Sequence, residues 1–181
     1  AGSYWHSDLS YIAEPVDASM LYAIEVPESG GDTLFANLYE AFETLSVGTQ
    51  ARLRDLTAVH NLMSGTGAAA KVALTDAQRA KVPDAIHPVV RRHPETGREA
   101  LFVNPGFTRR IVELDQTEGD ALLAELYDHA TEECFTYRHK WTAGDLTLFD
   151  GHASMHSANG GYASAARRTL WRAFMGGRYE A

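Results

Sequence analysis

A chain of 181 residues with 45% hydrophobic content can bury one substantial core, so a single domain over residues 1–181 is expected. A formal charge of −8 at pH 7 without any Lys/Arg-rich run argues against nucleic-acid binding through phosphate contacts, and no apolar run approaches the length of a membrane span. The one cysteine, Cys134, excludes an internal disulfide and fits a reducing, cytoplasmic setting; beside Phe135 it is expected to be packed rather than reactive.

In chain order, "WHSDLSY" (5–11) sets a histidine and an aspartate two apart among aromatic and apolar neighbours. "SMLYAIEVP" (19–27) predicts a strand that stops at proline, and "SGGDT" (29–33) a turn. Leu38, Phe42 and Leu45, then Leu53 and Leu56, recur at helical spacing, which predicts two short helices directly after that turn with Asn37 as an N-cap. Residues 63–85, rich in Gly and Ala, read as a long excursion and a candidate lid. "HPVVRRH", "EALFVN" and "FTRRIVEL" read as strands, the first two joined by "PETG" into a hairpin that the third continues. Residues 117–133 form an amphipathic helix with Leu122, Leu123, Leu126 and Tyr127 on one stripe and Thr117 as the cap. "FTYRHKW", "DLTLFD" and "RRTLWRAFMG" return to strand character, so a rolled or barrel-like β-fold decorated by helices is expected.

The chemistry starts from residues 6 and 8. In a strand these share a face, so His6 and Asp8 offer an imidazole and a carboxylate to one ion, and a third ligand is required. His156, after a strand-like run and before a Gly-rich turn, supplies it, with His152 as its competitor. Two histidines and one carboxylate with open positions suit a non-haem Fe(II) oxygenase; zinc accepts the same residue types, so the triad alone leaves hydrolysis open. Arg168 and Arg172, four apart on a strand, present two guanidinium forks suited to carboxylates or sulfonates. If Arg168 takes the far carboxylate of 2-oxoglutarate while the ion chelates its keto-acid end, one cosubstrate accounts for ion, fork and open positions.

The order of "WHSDLSY", "SGGDTLFAN", "HPVVRRHPETGREALFVNPGFTRRI", "GDLTLFD" and "RRTLWRAF" resembles the TauD/TfdA family of Fe(II)/2-oxoglutarate-dependent dioxygenases over nearly the whole chain, the taurine dioxygenase branch above all. That resemblance implies a double-stranded β-helix (jelly-roll) core, lacking its N-terminal part here, since the family carries a substantial region before its first ligand. It implies His6, Asp8 and His156 as iron ligands, with Arg168 and Thr33 on the distal carboxylate of 2-oxoglutarate. Arg172 would face the anionic end of the substrate, and Phe107 would line its pocket. The implied reaction consumes O2 and 2-oxoglutarate, releases succinate and CO2, and hydroxylates a small anionic molecule such as taurine, another alkyl sulfonate or sulfate, or an aryloxyalkanoate. A homodimer or homotetramer is also implied. Where the family often has Asn-Arg after the last aspartate of "GDLTLFD", this chain has Gly151 and His152. His60, His87, His93, His129 and His139 match no ligand position and read as structural or surface residues. Two readings of other classes stand beside this one: a metal-dependent hydrolase, which leaves Thr33 and Arg168 without a common task, and a non-catalytic small-molecule binding module.

Overall fold

In the computed structural model, residues 3–62 and 83–177 are described. Strand β1 (Ala18–Glu25) lies between β11 (Thr169–Met175) and β9 (Leu146–Asp150), antiparallel to both. Directly opposed residues share a face, so Ser19 stands with Phe149 and Phe174, and Leu21 with Thr147 and Arg172. Tyr22, Trp171 and Leu146 make up the other, exposed face. A second sheet sets β2 (Thr33–Asn37) between β10 (Ser154–Ala158) and β8 (Thr136–His139), with Phe35 opposite His156. The two sheets meet through aromatic rings: Phe35 and Phe149 lie 5.0 Å apart, and Phe149 and His156 4.8 Å.

The third sheet, β4 (Ala85–Pro88), β3 (Thr57–His60) and β7 (Thr108–Ile111), stands beside a separate hairpin of β5 (Val90–Arg92) and β6 (Glu99–Leu101). Among the described residues, three helices close the main core. Asn37 caps α1 (Leu38–Glu43) and Ser46 caps α2 (Val47–Arg54), each side chain accepting first-turn N–H groups. Helix α3 (Gln116–Ala130) buries Leu122, Leu123 and Leu126 in one cluster with Phe42, Leu53, Leu101, Ile111 and Met155. At about 25 cal/mol per Å² of apolar surface, each such side chain contributes roughly 2 kcal/mol.

Several expectations need correction. The cap of α3 is Asp115, whose carboxylate accepts from Glu118 N; Thr117 falls inside the first turn. Strands β2, β3 and β10 were not legible: β2 runs straight into α1, with Asn37 both its last residue and the helix cap, so its apolar residues merge into the helical pattern. Strand β7 does not continue the hairpin but pairs with β3. Cys134 is exposed, because the 3-10 turn Glu133–Phe135 turns Phe135 toward the core and the thiol outward. Of the candidate lid, residues 63–82 lie outside the described residues.

Candidate metal centre

His6 stands on an isolated antiparallel bridge with His156, each backbone N–H donating to the other's carbonyl at 3.0 and 2.8 Å. This links "WHSDLSY" to the free edge of β10. The strand geometry expected for residues 6 to 8 ends there. After Ser7 the chain turns, with Leu9 at φ 52°, a left-handed conformation costing a non-Gly residue roughly 1 kcal/mol. Asp8 reaches the site from this turn, not from a strand face. Buried Ser10 anchors the turn: Asn104 donates to its hydroxyl at 3.0 Å, and His60 Nδ1 lies 3.2 Å from it. Close approach also requires Gly106 in "NPGF", where an added Cβ would lie 2.7 Å from that of His6.

His6, Asp8 and His156 are all buried, and one donor atom from each lies within 4.8 Å of the others; among the described residues no other such group of three occurs. His152, the competitor, is elsewhere: its Nε2 lies 3.0 Å from Asp17 Oδ1 and its ring 4.9 Å from that of His93. Burial pushes the pKa of His6 down, and burial together with the neighbouring His6 ring pushes His156 down to about 3, so both imidazoles are neutral at pH 7. The tautomer of His6 follows from its partner. Its Nδ1 lies 2.8 Å from the carbonyl oxygen of Tyr4, which can only accept, so Nδ1 carries the proton. Nε2 then turns a lone pair toward Asp8 Oδ1 at 3.8 Å, while His156 Nε2 lies 4.0 Å from Oδ2. An imidazole lone pair and a carboxylate face each other across 3.8 Å without a hydrogen bond between the two, although Arg172 and Ser19 donate to the carboxylate. A divalent cation satisfies that arrangement, so the residues fit a metal, and the carbonyl behind His6 is the kind of outer partner that orients a ligating histidine.

These residues open into a cavity of about 600 Å3 shared with Thr33, Phe107, Arg168 and Arg172. Arg168 precedes β11; its Nε donates to Gly31 O at 2.7 Å and its Nη2 to Thr33 Oγ1 at 3.2 Å. Trp141 Nε1 donates to the same hydroxyl at 3.0 Å. With two donors on its oxygen, the Thr33 hydroxyl is left to donate its own proton to an acceptor in the cavity. Guanidinium and hydroxyl together suit a carboxylate. Gly30 permits the geometry: its φ is 74°, and a Cβ there would meet Gly161 O at 2.6 Å, so "SGGDT" and the turn after β10 can touch. Arg172 does not project freely into the cavity, because its Nη1 donates to Asp8 Oδ1 at 3.0 Å. Phe107 presents its ring edge-on to His6 at 5.9 Å and packs against Tyr11 at 4.8 Å.

Every residue singled out from the sequence therefore lies on this one cavity, apart from His152. Two contributors were missed. Trp141 gave no signal beyond being one of three tryptophans, at the end of a strand-like run. Ser19, whose hydroxyl donates to Asp8 Oδ2 at 2.9 Å, was detectable as a serine at an inward position of an apolar strand, where a hydroxyl needs a partner.

The family model described as taurine catabolism dioxygenase TauD, TfdA family matches residues 1–174. An alpha-ketoglutarate-dependent 2,4-dichlorophenoxyacetate dioxygenase of Cupriavidus pinatubonensis is 38% identical over 173 residues, 96% of this chain and 60% of that protein. An alpha-ketoglutarate-dependent sulfonate dioxygenase of Saccharomyces cerevisiae is 36% identical over 155 residues, 85% of this chain and 37% of that protein. The chain thus spans 60% or less of the length of these curated relatives. Among solved structures, AAD-2 in complex with Mn(II) and N-oxalylglycine superposes with a TM-score of 0.89 at 32% identity, covering 97% of this chain and 69% of that one. A taurine dioxygenase from Burkholderia xenovorans gives a TM-score of 0.82 at 34% identity, covering 97% and 59%. The facing sheets are those of the double-stranded β-helix, or jelly-roll, core of such neighbours, and this chain belongs to the TauD/TfdA family of dioxygenases.

Proposed function

We propose that the chain carries the catalytic centre of an Fe(II)- and 2-oxoglutarate-dependent dioxygenase that hydroxylates a small anionic organic substrate. The observation that carries this reading is the shared cavity: the neutral His6 and His156 facing Asp8, with Arg168 and Thr33 opening into the same space. A hydrolase would need the first set and leave the second without work.

His6, Asp8 and His156 hold the metal, and Arg168 with the Thr33 hydroxyl binds the distal carboxylate of 2-oxoglutarate. Arg172 draws the anionic group of the substrate, and Phe107, with Leu21 and Leu170, walls the cavity against water. Iron, when bound, supplies the redox chemistry by which O2 and 2-oxoglutarate become succinate, CO2 and the oxygen of the hydroxylated product. The protein's work is to hold the substrate C–H bond close to the metal and in line.

An alkyl sulfonate such as taurine is the preferred substrate class, supported by the sulfonate and taurine dioxygenases among similar proteins. The aromatic and aliphatic lining favours a second reading, an aryloxyalkanoate, supported by the 2,4-dichlorophenoxyacetate relative. Oxygen uptake and succinate release with each compound class separate them; uptake that no sulfonate or aryloxy acid stimulates would contradict both. No helix among the described residues is long and apolar enough to cross a membrane. We further propose a cytoplasmic enzyme acting as a homodimer or homotetramer without nucleic-acid partners; light scattering of the purified chain tests the assembly.

A further inference from the structure

Asp8 is a shared residue. Its Oδ1 accepts from Arg172 Nη1 at 3.0 Å and its Oδ2 from Ser19 Oγ at 2.9 Å. The same oxygens lie 3.8 and 4.0 Å from the Nε2 atoms of His6 and His156. Ser19 is on β1 and Arg172 on β11, so two neighbouring strands grip one carboxylate. The grips differ in kind: the serine orients without charge, whereas the guanidinium brings a full positive charge to the oxygen that also faces His6. Arg168, the other guanidinium among the described residues that line the cavity, is tied to Gly31 and Thr33.

We propose that Arg172 is a positioning residue of the metal centre in addition to contacting the substrate: its guanidinium competes with the metal for the charge of Asp8, which couples substrate binding to metal binding. The inference rests on the metal-centre reading above. Two cations sharing one carboxylate repel each other, so Arg172 weakens metal binding while no anion sits beside it. An anionic substrate group on Arg172 relieves that repulsion and tightens the metal. Linkage requires the converse, that the metal, by drawing on Asp8, frees Arg172 for the anion. The Arg172 side chain is 48% exposed, so solvent screens its field and the coupling falls toward the low end of the usual range.

Mn(II) titration by calorimetry, with no 2-oxoglutarate or substrate present, tests this. Arg172→Gln should bind Mn(II) about tenfold more tightly than the parent. Arg172→Lys, which keeps the charge, should stay within about threefold of the parent, and Ser19→Ala, which loses orientation alone, should bind more weakly. Arg172→Met, which keeps an apolar stem and loses the guanidinium that lies over the Phe174 ring at 4.9 Å, is a second neutral variant that should reproduce the glutamine result. Equal or weaker Mn(II) binding in the neutral variants overturns the coupling and leaves the metal centre standing. Failure of the parent chain to bind Mn(II) overturns the metal centre and the coupling with it.

Discussion

Among the described residues, two histidine–aspartate clusters contrast: His6, Asp8 and His156 bring three possible ligand atoms within 4.8 Å of one another, and the cluster at residues 17, 93, 150 and 152 does not. In the cluster at residues 17, 93, 150 and 152, beside a cavity of about 590 Å3, His93 Nδ1 accepts from the N–H groups of Glu95 and Thr96 at 3.1 and 3.3 Å. Its proton therefore sits on Nε2 and is donated to Asp150 Oδ2 at 3.1 Å. Asp150 Oδ1 is occupied too, by the backbone N–H groups of His152 and Ala153. Donor meets acceptor, so ring and carboxylate satisfy each other. In the cluster of His6, Asp8 and His156, the Tyr4 carbonyl holds the proton of His6 on the far nitrogen, so acceptor meets acceptor. Residue types are the same in both places. The partner of the remote ring nitrogen sets whether the near nitrogen turns a proton or a lone pair toward the carboxylate.

The largest expected effect that separates the clusters is Asp8→Ala, which should weaken Mn(II) or Fe(II) binding at least about 100-fold, whereas Asp150→Ala should leave it within twofold. Calorimetric titration of both variants reads the contrast; comparable losses would erase it. Next, Arg168→Ala should weaken 2-oxoglutarate binding roughly 10- to 100-fold through loss of charge-assisted hydrogen bonds, without altering metal affinity in its absence. A parallel loss of both affinities in that variant would show that Arg168 supports the site as a whole instead.

A smaller effect concerns pH. His60 is fully buried, and burial, with the neighbouring His87, pushes its pKa down from 6.5 to about 3. The unfolded chain binds a proton there below pH 6.5 and the folded chain does not, so the stability His60 contributes is complete above pH 6.5 and is lost as pH falls toward 3. Between pH 6.5 and 5 this amounts to about 2 kcal/mol. Urea unfolding at both pH values should show that loss, and His60→Gln should reduce it; an unchanged pH dependence in the variant would remove His60 as the source. The smallest effect is His152→Ala. Its Nδ1 is buried without a hydrogen-bond partner, so removing the ring should cost only about 1 kcal/mol, with metal affinity unchanged. A large drop in metal affinity would return His152 to the ligand set.

How much of this was legible in the sequence varied with how local the signal was. Strand β1, helices α1 and α2, the stripe of α3 and the turn at "PETG" were readable because period and turn chemistry are local. Strands β2, β3 and β10 were not, being four or five residues long and defined by partners far along the chain. His6 and Asp8 were found through a strand geometry that holds only for His6; the turn through Leu9 brings Asp8 in all the same. The choice between His156 and His152 could not come from spacing, since it depends on the bridge to His6. The bond from Arg172 to Asp8 joins residues 164 positions apart, and no sequence pattern announces it.

Under the proposed function, metal and 2-oxoglutarate share one site built by His6, Asp8, His156, Thr33 and Arg168. Anaerobic addition of Fe(II) and then 2-oxoglutarate to the purified chain, read as the visible metal-to-ligand charge-transfer absorption of the chelate, tests it most directly. The absorption should appear in the parent, be absent in Asp8→Ala, and in Arg168→Ala be recovered only at much higher 2-oxoglutarate concentration. No absorption in the parent, or undiminished absorption in Asp8→Ala, would contradict it.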